Sequence, residues 1–208
     1  MQSRSANFDL YLVTDRRQVR ERDLLWVLEQ ALDGGARAVQ LRERDLGGRE
    51  LFLLAEKAKA LCGRYRALLF VNDRVDVALG VDAEGVQLGS ASMPASAART
   101  LLGEEKLIGV STHSIREAEQ AAEADFILFG PIYFTLSKAA YGEPQGLGPL
   151  KEVVEKISIP VYAIGGIKPE NAGAVKETGV RGVAVISAVL SAADPKKAAR
   201  DILRALER

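Results

Sequence analysis

Three features of the 208-residue sequence predict an α/β fold, a TIM (β/α)8 barrel forming a single domain over residues 1–208. Eight short apolar runs recur roughly every 25 residues. Amphipathic segments of helical period separate them. Polar side chains gather just past the ends of the runs. Continuous apolar runs of this kind mark parallel strands covered on both faces.

The predicted strands are Leu10–Thr14, Ala36–Leu41, Ala67–Asn72, Gly85–Leu88, Leu107–Ser111, Phe126–Gly130, Val161–Gly165 and Gly182–Ser187. Between the first two, Leu24, Leu25, Leu28, Ala31 and Leu32 form one helical stripe, which Gly34-Gly35 ends. Ser114 with Glu117 reads as a capping box, and Lys168-Pro169-Glu170 and Asp194-Pro195 read as helix starts. Trp26 is expected in the core, and Cys62 as a packing residue of an outer helix. The competing fold is an open doubly wound sheet. No G-x-G-x-x-G follows the first strand, where Tyr11-Leu12-Val13-Thr14-Asp15-Arg16 stands instead.

Composition narrows the chemistry. Twenty-eight Lys+Arg against 28 Asp+Glu leave no net charge, and so no footprint for nucleic acid or an anionic membrane. One Cys and one His exclude an internal disulfide, a cysteine-cluster metal site and any mechanism needing two histidines. No stretch approaches the length of a membrane span and no signal peptide is seen, so a cytoplasmic protein is expected.

In such a barrel the active site lies where strands give way to helices. Period-two alternation sends Gln40, Arg42 and Arg44 the same way, so that two guanidiniums can clamp an oxyanion or phosphate. The alternative is a solvated strand end with its arginines on Glu43 or Asp45. Asn72-Asp73 closes the third strand with an amide and a carboxylate, suited to Mg²⁺ or a substrate hydroxyl or amine. Its bland reading makes Asp73 a helix cap. Ser90, Ser92, Ser111 and His113 follow the fourth and fifth strands, and His113 is the candidate proton-transfer group. The long connection Pro131–Gly148 carries Thr135, Ser137 and Lys138, two hydroxyls and a cation for a phosphate. Gly165, Gly166 and Ser187, past the last two strands, suit a phosphate cradle of main-chain N–H groups.

Seven motifs in order, YLVTD, VQLRERD, VNDRVDVAL, GVSTHS, GPIYFTLSK, IPVYAIGGI and GVAVISAV, resemble the thiamine phosphate synthase/thiazole tautomerase superfamily from Tyr11 to about Leu190. The resemblance implies a TIM barrel, commonly paired as a homodimer. Its synthase branch joins an aminopyrimidine diphosphate to a thiazole phosphate, with Mg²⁺ assisting departure of diphosphate. It would place the pyrimidine diphosphate on Gln40, Arg42, Asn72 and Lys138. Thr135 and Ser137 would help hold the thiazole ligand and the diphosphate loop. Mg²⁺ would sit on Asp73, and the thiazole phosphate on Gly165, Gly166 and Ser187.

Two departures favour the other branch. Arg44 stands where the synthase pattern has lysine, and neutral Ser92 stands where it has a second Mg²⁺-binding aspartate. Gln87 points the same way. The leading expectation is therefore a thiazole tautomerase, in which His113 moves a proton to aromatise a carboxylated thiazole phosphate without any cofactor. The synthase is the alternative, and a thiazole phosphate sensor without turnover is the non-enzyme one.

Overall fold

The computed structural model describes residues 6–121, 123–135 and 143–207. Eight parallel strands close on themselves in sequence order. They are β1 (Leu10–Val13), β2 (Ala38–Leu41), β3 (Leu68–Asn72), β4 (Gly85–Leu88), β5 (Leu107–Thr112), β6 (Phe126–Phe129), β7 (Val161–Ile164) and β8 (Gly182–Val185). Closure is made by β1 against β8, with Leu10 opposite Val183 and Leu12 opposite Val185. It removes the open-sheet alternative.

The helices of the outer layer are α1 (Leu24–Asp33), α2 (Gly48–Arg64), α3 (Val75–Gly80), α4 (Ala95–Leu102), α5 (Ile115–Gln120), α6 (Leu147–Lys156), α7 (Pro169–Lys176), the short α8 (Ser187–Leu190) and α9 (Pro195–Leu206). Asp23 caps α1 by accepting the Trp26 N–H, and Asp194 caps α9 by accepting the Lys197 N–H. The Ser114–Glu117 box is only half formed. Ser114 accepts the Glu117 N–H, but Glu117 reaches one residue further back and accepts the His113 N–H at 2.8 Å. Trp26 is not core: it is 43% exposed, with the Arg22 guanidinium 5.8 Å from its ring. The buried stripe of α1 uses Val27, while Leu25 is half-buried. Cys62 packs inside α2 as expected, and burial pushes its thiol up to about 12.

The interior of the barrel is layered. Below, Phe8, Tyr11, Phe70, Phe126 and Tyr162 fill the lumen. Phe8 stacks on Tyr162 at 4.4 Å, while Tyr11–Phe70 and Phe70–Phe126 meet edge to face at 5.3 Å. The Tyr162 hydroxyl donates to the Ala6 carbonyl at 2.8 Å and accepts the Phe8 N–H at 3.4 Å, fixing residues 6–8 as a plug. Such bulk fits because small residues face it. A Cβ on Gly109 would lie 2.4 Å from both Gln87 Oε1 and the Phe126 ring. Above the rings sits a polar layer. Gln87 donates to Ser111 Oγ at 3.1 Å and Gln40 to Asn72 Oδ1 at 3.4 Å, while the Tyr11 hydroxyl reaches Gln87 Oε1 at 3.5 Å.

Gly109→Ala is therefore expected to destabilise the fold by about 1–3 kcal/mol through overpacking. Urea denaturation measures the loss; an unchanged midpoint would contradict this packing.

Candidate active site

Register places the site. Val13 lies opposite Gln40, and Asn72 opposite Gln87, so inward positions at the C-terminal ends reach one level. Above the polar layer, a cavity of about 90 Å³ is walled by Val13, Leu128, Ile164 and Ile186. Its polar rim is Asp15, Gln18, Gln40, Arg42, Asn72, Ser111 and His113. An apolar wall with a few convergent polar groups suits a flat heterocycle.

Two further cavities flank it. One, of about 120 Å³, shares Arg42, Asn72, Ser111 and His113 with the first and adds Arg44, Asp73 and Ser92. The other, of about 60 Å³, shares Gln18, Ile164 and Ile186 and adds Thr135, Gly165, Gly166, Lys168 and Ser187. The sequence-derived candidates among the described residues thus fall into three adjoining cavities. Ser137 and Lys138 lie outside the described residues. A roomier groove of about 410 Å³ opens behind β4 and β5, lined by Met93, Val110, Glu117 and Glu123 among others. Among the described residues no lysine or arginine lines it.

Each group is held from behind. The Arg42 N–H donates to Thr14 Oγ1 at 2.8 Å, and the Thr14 N–H to the Gln40 carbonyl at 2.9 Å. Glu43 and Asp45 do pair with an arginine, but it is Arg16 of the first loop. Asp73 is not a helix cap. It takes a left-handed φ of 65°, and its N–H donates to the Gln87 carbonyl at 2.9 Å. This turn leaves the carboxylate exposed at the cavity wall. Ser92 Oγ accepts the Gly89 N–H at 2.7 Å, so the hydroxyl staples its own loop. His113 Nδ1 lies 2.5 Å from the Gly130 carbonyl, which only accepts; Nδ1 therefore carries a proton.

The double-glycine turn depends on backbone freedom. Gly165 and Gly166 have φ of 106° and 66°, and a Cβ on either would strike Pro131 or Tyr133 at 2.7 Å. Asn171 braces the turn by donating to the Gly166 carbonyl at 3.0 Å. The adjacent loop is tied at its base, where the Gln145 N–H donates to the Pro131 carbonyl and the Gly146 N–H to the Ile132 carbonyl.

Sequence reasoning missed Gln18 and Lys168. Gln18 sits on a 3₁₀ turn, Arg16–Gln18, and its amide nitrogen donates to Asp15 Oδ2 at 2.8 Å. Burial works to raise the Asp15 carboxyl, but hydrogen bonds from Gln18 and Arg17 outweigh it and hold it below the usual range. The carboxylate that follows β1 was the available signal for this turn.

Comparison with known proteins fits the geometry. The thiamine monophosphate synthase family profile matches residues 10–189. A chain from Geobacter sulfurreducens is 52% identical over 97% of this chain and 95% of its own length. The thiamine-phosphate synthase of Clostridium novyi is 43% identical over 94% and 97%. The solved thiamine phosphate pyrophosphorylase of Pyrococcus furiosus superposes with a TM-score of 0.88 at 41% identity, covering 96% and 95%. These full-length relatives overturn the tautomerase expectation: the names they carry are those of the synthase branch. The physical error lay in giving Ser92 too much weight, since a magnesium ion on substrate phosphates can make do with one protein carboxylate. By profile, identity and fold together, the chain belongs to the thiamine monophosphate synthase family.

Proposed function

We propose that this protein is a thiamine-phosphate synthase, a transferase that joins an aminopyrimidine diphosphate to a thiazole phosphate and releases diphosphate, with residues 1–208 acting as one domain. The observation that carries this reading is the pair of anion-suited cavities on opposite sides of a heterocycle-sized one. Two phosphorylated substrates need two anion sites, with their rings meeting between.

In this reading Arg42 and Arg44 face the diphosphate, and the main-chain groups of Gly165, Gly166 and Ser187 cradle the thiazole phosphate. Gln40, Asn72 and Ser111 orient the rings, and Thr135 stands at the cradle edge. The methylene C–O bond of the pyrimidine breaks and its electron pair leaves with diphosphate. The thiazole nitrogen then donates its lone pair to the methylene carbon, forming the C–N bond. Negative charge grows on the departing oxygen, so fixed guanidiniums beside it stabilise the transition state more than the ground state. Bond formation at the nitrogen transfers no proton. His113 thus becomes part of the wall between the rings and the diphosphate.

The donor set fits Mg²⁺ completed by substrate. Asp73 brings a carboxylate to the wall of the cavity that holds both arginines. Among the described residues no three His, Cys, Asp or Glu side chains gather as a metal cluster, and a Mg²⁺ held by Asp73 would draw its other oxygens from substrate phosphates. Bound there, Mg²⁺ would offset charge on the leaving diphosphate. The family resemblance also carries a homodimer into this reading, and the sequence expectation of a cytoplasmic setting is kept; sedimentation velocity tests the first. Among the described residues no helix is long and apolar enough to cross a membrane.

Purified protein given both substrates and Mg²⁺ should form thiamine phosphate and diphosphate in equal amounts. Absence of product under these conditions would sink the proposal. Arg42→Ala should lower kcat by about a hundredfold, as expected for the loss of one fixed transition-state donor. Asp73→Asn should raise the Mg²⁺ concentration needed for half-maximal rate, and an unchanged Mg²⁺ titration would remove Asp73 from the metal.

A further inference from the structure

We infer that Glu43 is a positioning residue for the two arginines that flank it in sequence, acting through Arg16. The inference rests on the diphosphate reading of the Arg42–Arg44 cavity. Glu43 lines neither that cavity nor the central one. Its side chain is 2% exposed, an expensive place for a carboxylate unless hydrogen bonds satisfy it. They do, and they come from another loop. Both oxygens accept the Arg16 main-chain N–H at 3.1 Å, and the Arg16 guanidinium donates to Glu43 at 3.4 Å.

The same guanidinium forks onto Asp45, with Nη1–Oδ1 at 2.6 Å and Nη2–Oδ2 at 3.0 Å. Arg16 thus spans Glu43 and Asp45, either side of Arg44. Arg42 is pinned on its other side, through its N–H, by Thr14 Oγ1. The β2–α2 loop that presents both arginines is stitched at three residues to the β1–α1 loop that carries Asp15 and Gln18. A side cavity of about 150 Å³ lies on the other side of the β2–α2 loop, toward the end of β3, lined by Glu43, Arg44 and Asp73 among others. With the stitch cut, the loop has room to sag into it, and a guanidinium displaced by about 1 Å loses much of its effect.

The test is calorimetric titration of inorganic diphosphate with Mg²⁺, alongside thiazole phosphate, into the parent protein and into Glu43→Ala, Glu43→Gln and Arg16→Ala. Glu43→Ala should weaken diphosphate binding roughly ten- to a hundredfold and leave thiazole phosphate within about twofold, since the cradle lies across the barrel. Glu43→Gln keeps one acceptor and should fall between. Arg16→Ala keeps the main-chain N–H and should lose less than Glu43→Ala. In steady state, KM for the pyrimidine diphosphate should rise while KM for the thiazole phosphate holds. Parental diphosphate affinity in both Glu43 variants would overturn the inference. So would equal weakening of both ligands in step with a lowered Tm, the sign of a scaffold role. If the parent binds thiazole phosphate but no diphosphate, the cavity assignment fails and the inference fails with it.

Discussion

The lumen of an eight-stranded barrel must be filled, and here the filling is a cluster of aromatic rings. Phe8, Tyr11, Phe70, Phe126 and Tyr162 occupy the lower half in stacked and edge-to-face contacts. No ligand can enter from that end. The two tyrosine hydroxyls lie at opposite edges of the cluster. Tyr162 ties down the segment around Ala6, and Tyr11 begins the polar layer through Gln87. Burial pushes both phenols above their ordinary range, so both stay protonated and able to donate. Everything chemical therefore sits above Gln87 and Ser111, within reach of the βα loops.

Much of this was legible in the sequence because strands covered on both faces leave a strong one-dimensional trace. All eight predicted runs contain the observed strands apart from one added residue at Thr112. Placing the site at the strand ends followed from topology alone, and Gln40, Arg42, Asn72, Ser111 and His113 do meet in one cavity. The failures are local. Trp26 looked like core because it is large and apolar, yet periodicity assigns the buried face to its neighbour Val27. Gln18 was missed because a 3₁₀ turn of three residues has no periodic signature. The partner of Glu43 was misjudged because Arg16 is distant in sequence and near only in the fold.

The branch of the family was settled by the full-length relatives, and the fold adds relations that a linear reading does not contain. Ser92 viewed alone suggests a lost metal site. In the fold it staples a tight turn beside an intact Asp73 and two arginines. More important is that the double-glycine cavity and the cationic cavity lie on opposite sides of the central one. A sequence can supply both sets of residues without revealing that a ring-sized gap separates them.

Barrel closure also has a consequence for how the chain is made. The first strand finds one of its two hydrogen-bonding partners only in the last, Leu10 with Val183. The plug below it rests on Tyr162 of the seventh. During synthesis from the N-terminus, β1 must wait with one edge unpaired until β8 has emerged. Contacts of such long sequence separation slow folding and extend exposure to self-association. The final helix, α9, packs across α1 and α7 and seals this junction, so truncation from the C-terminus should be felt first at the opposite end of the sequence.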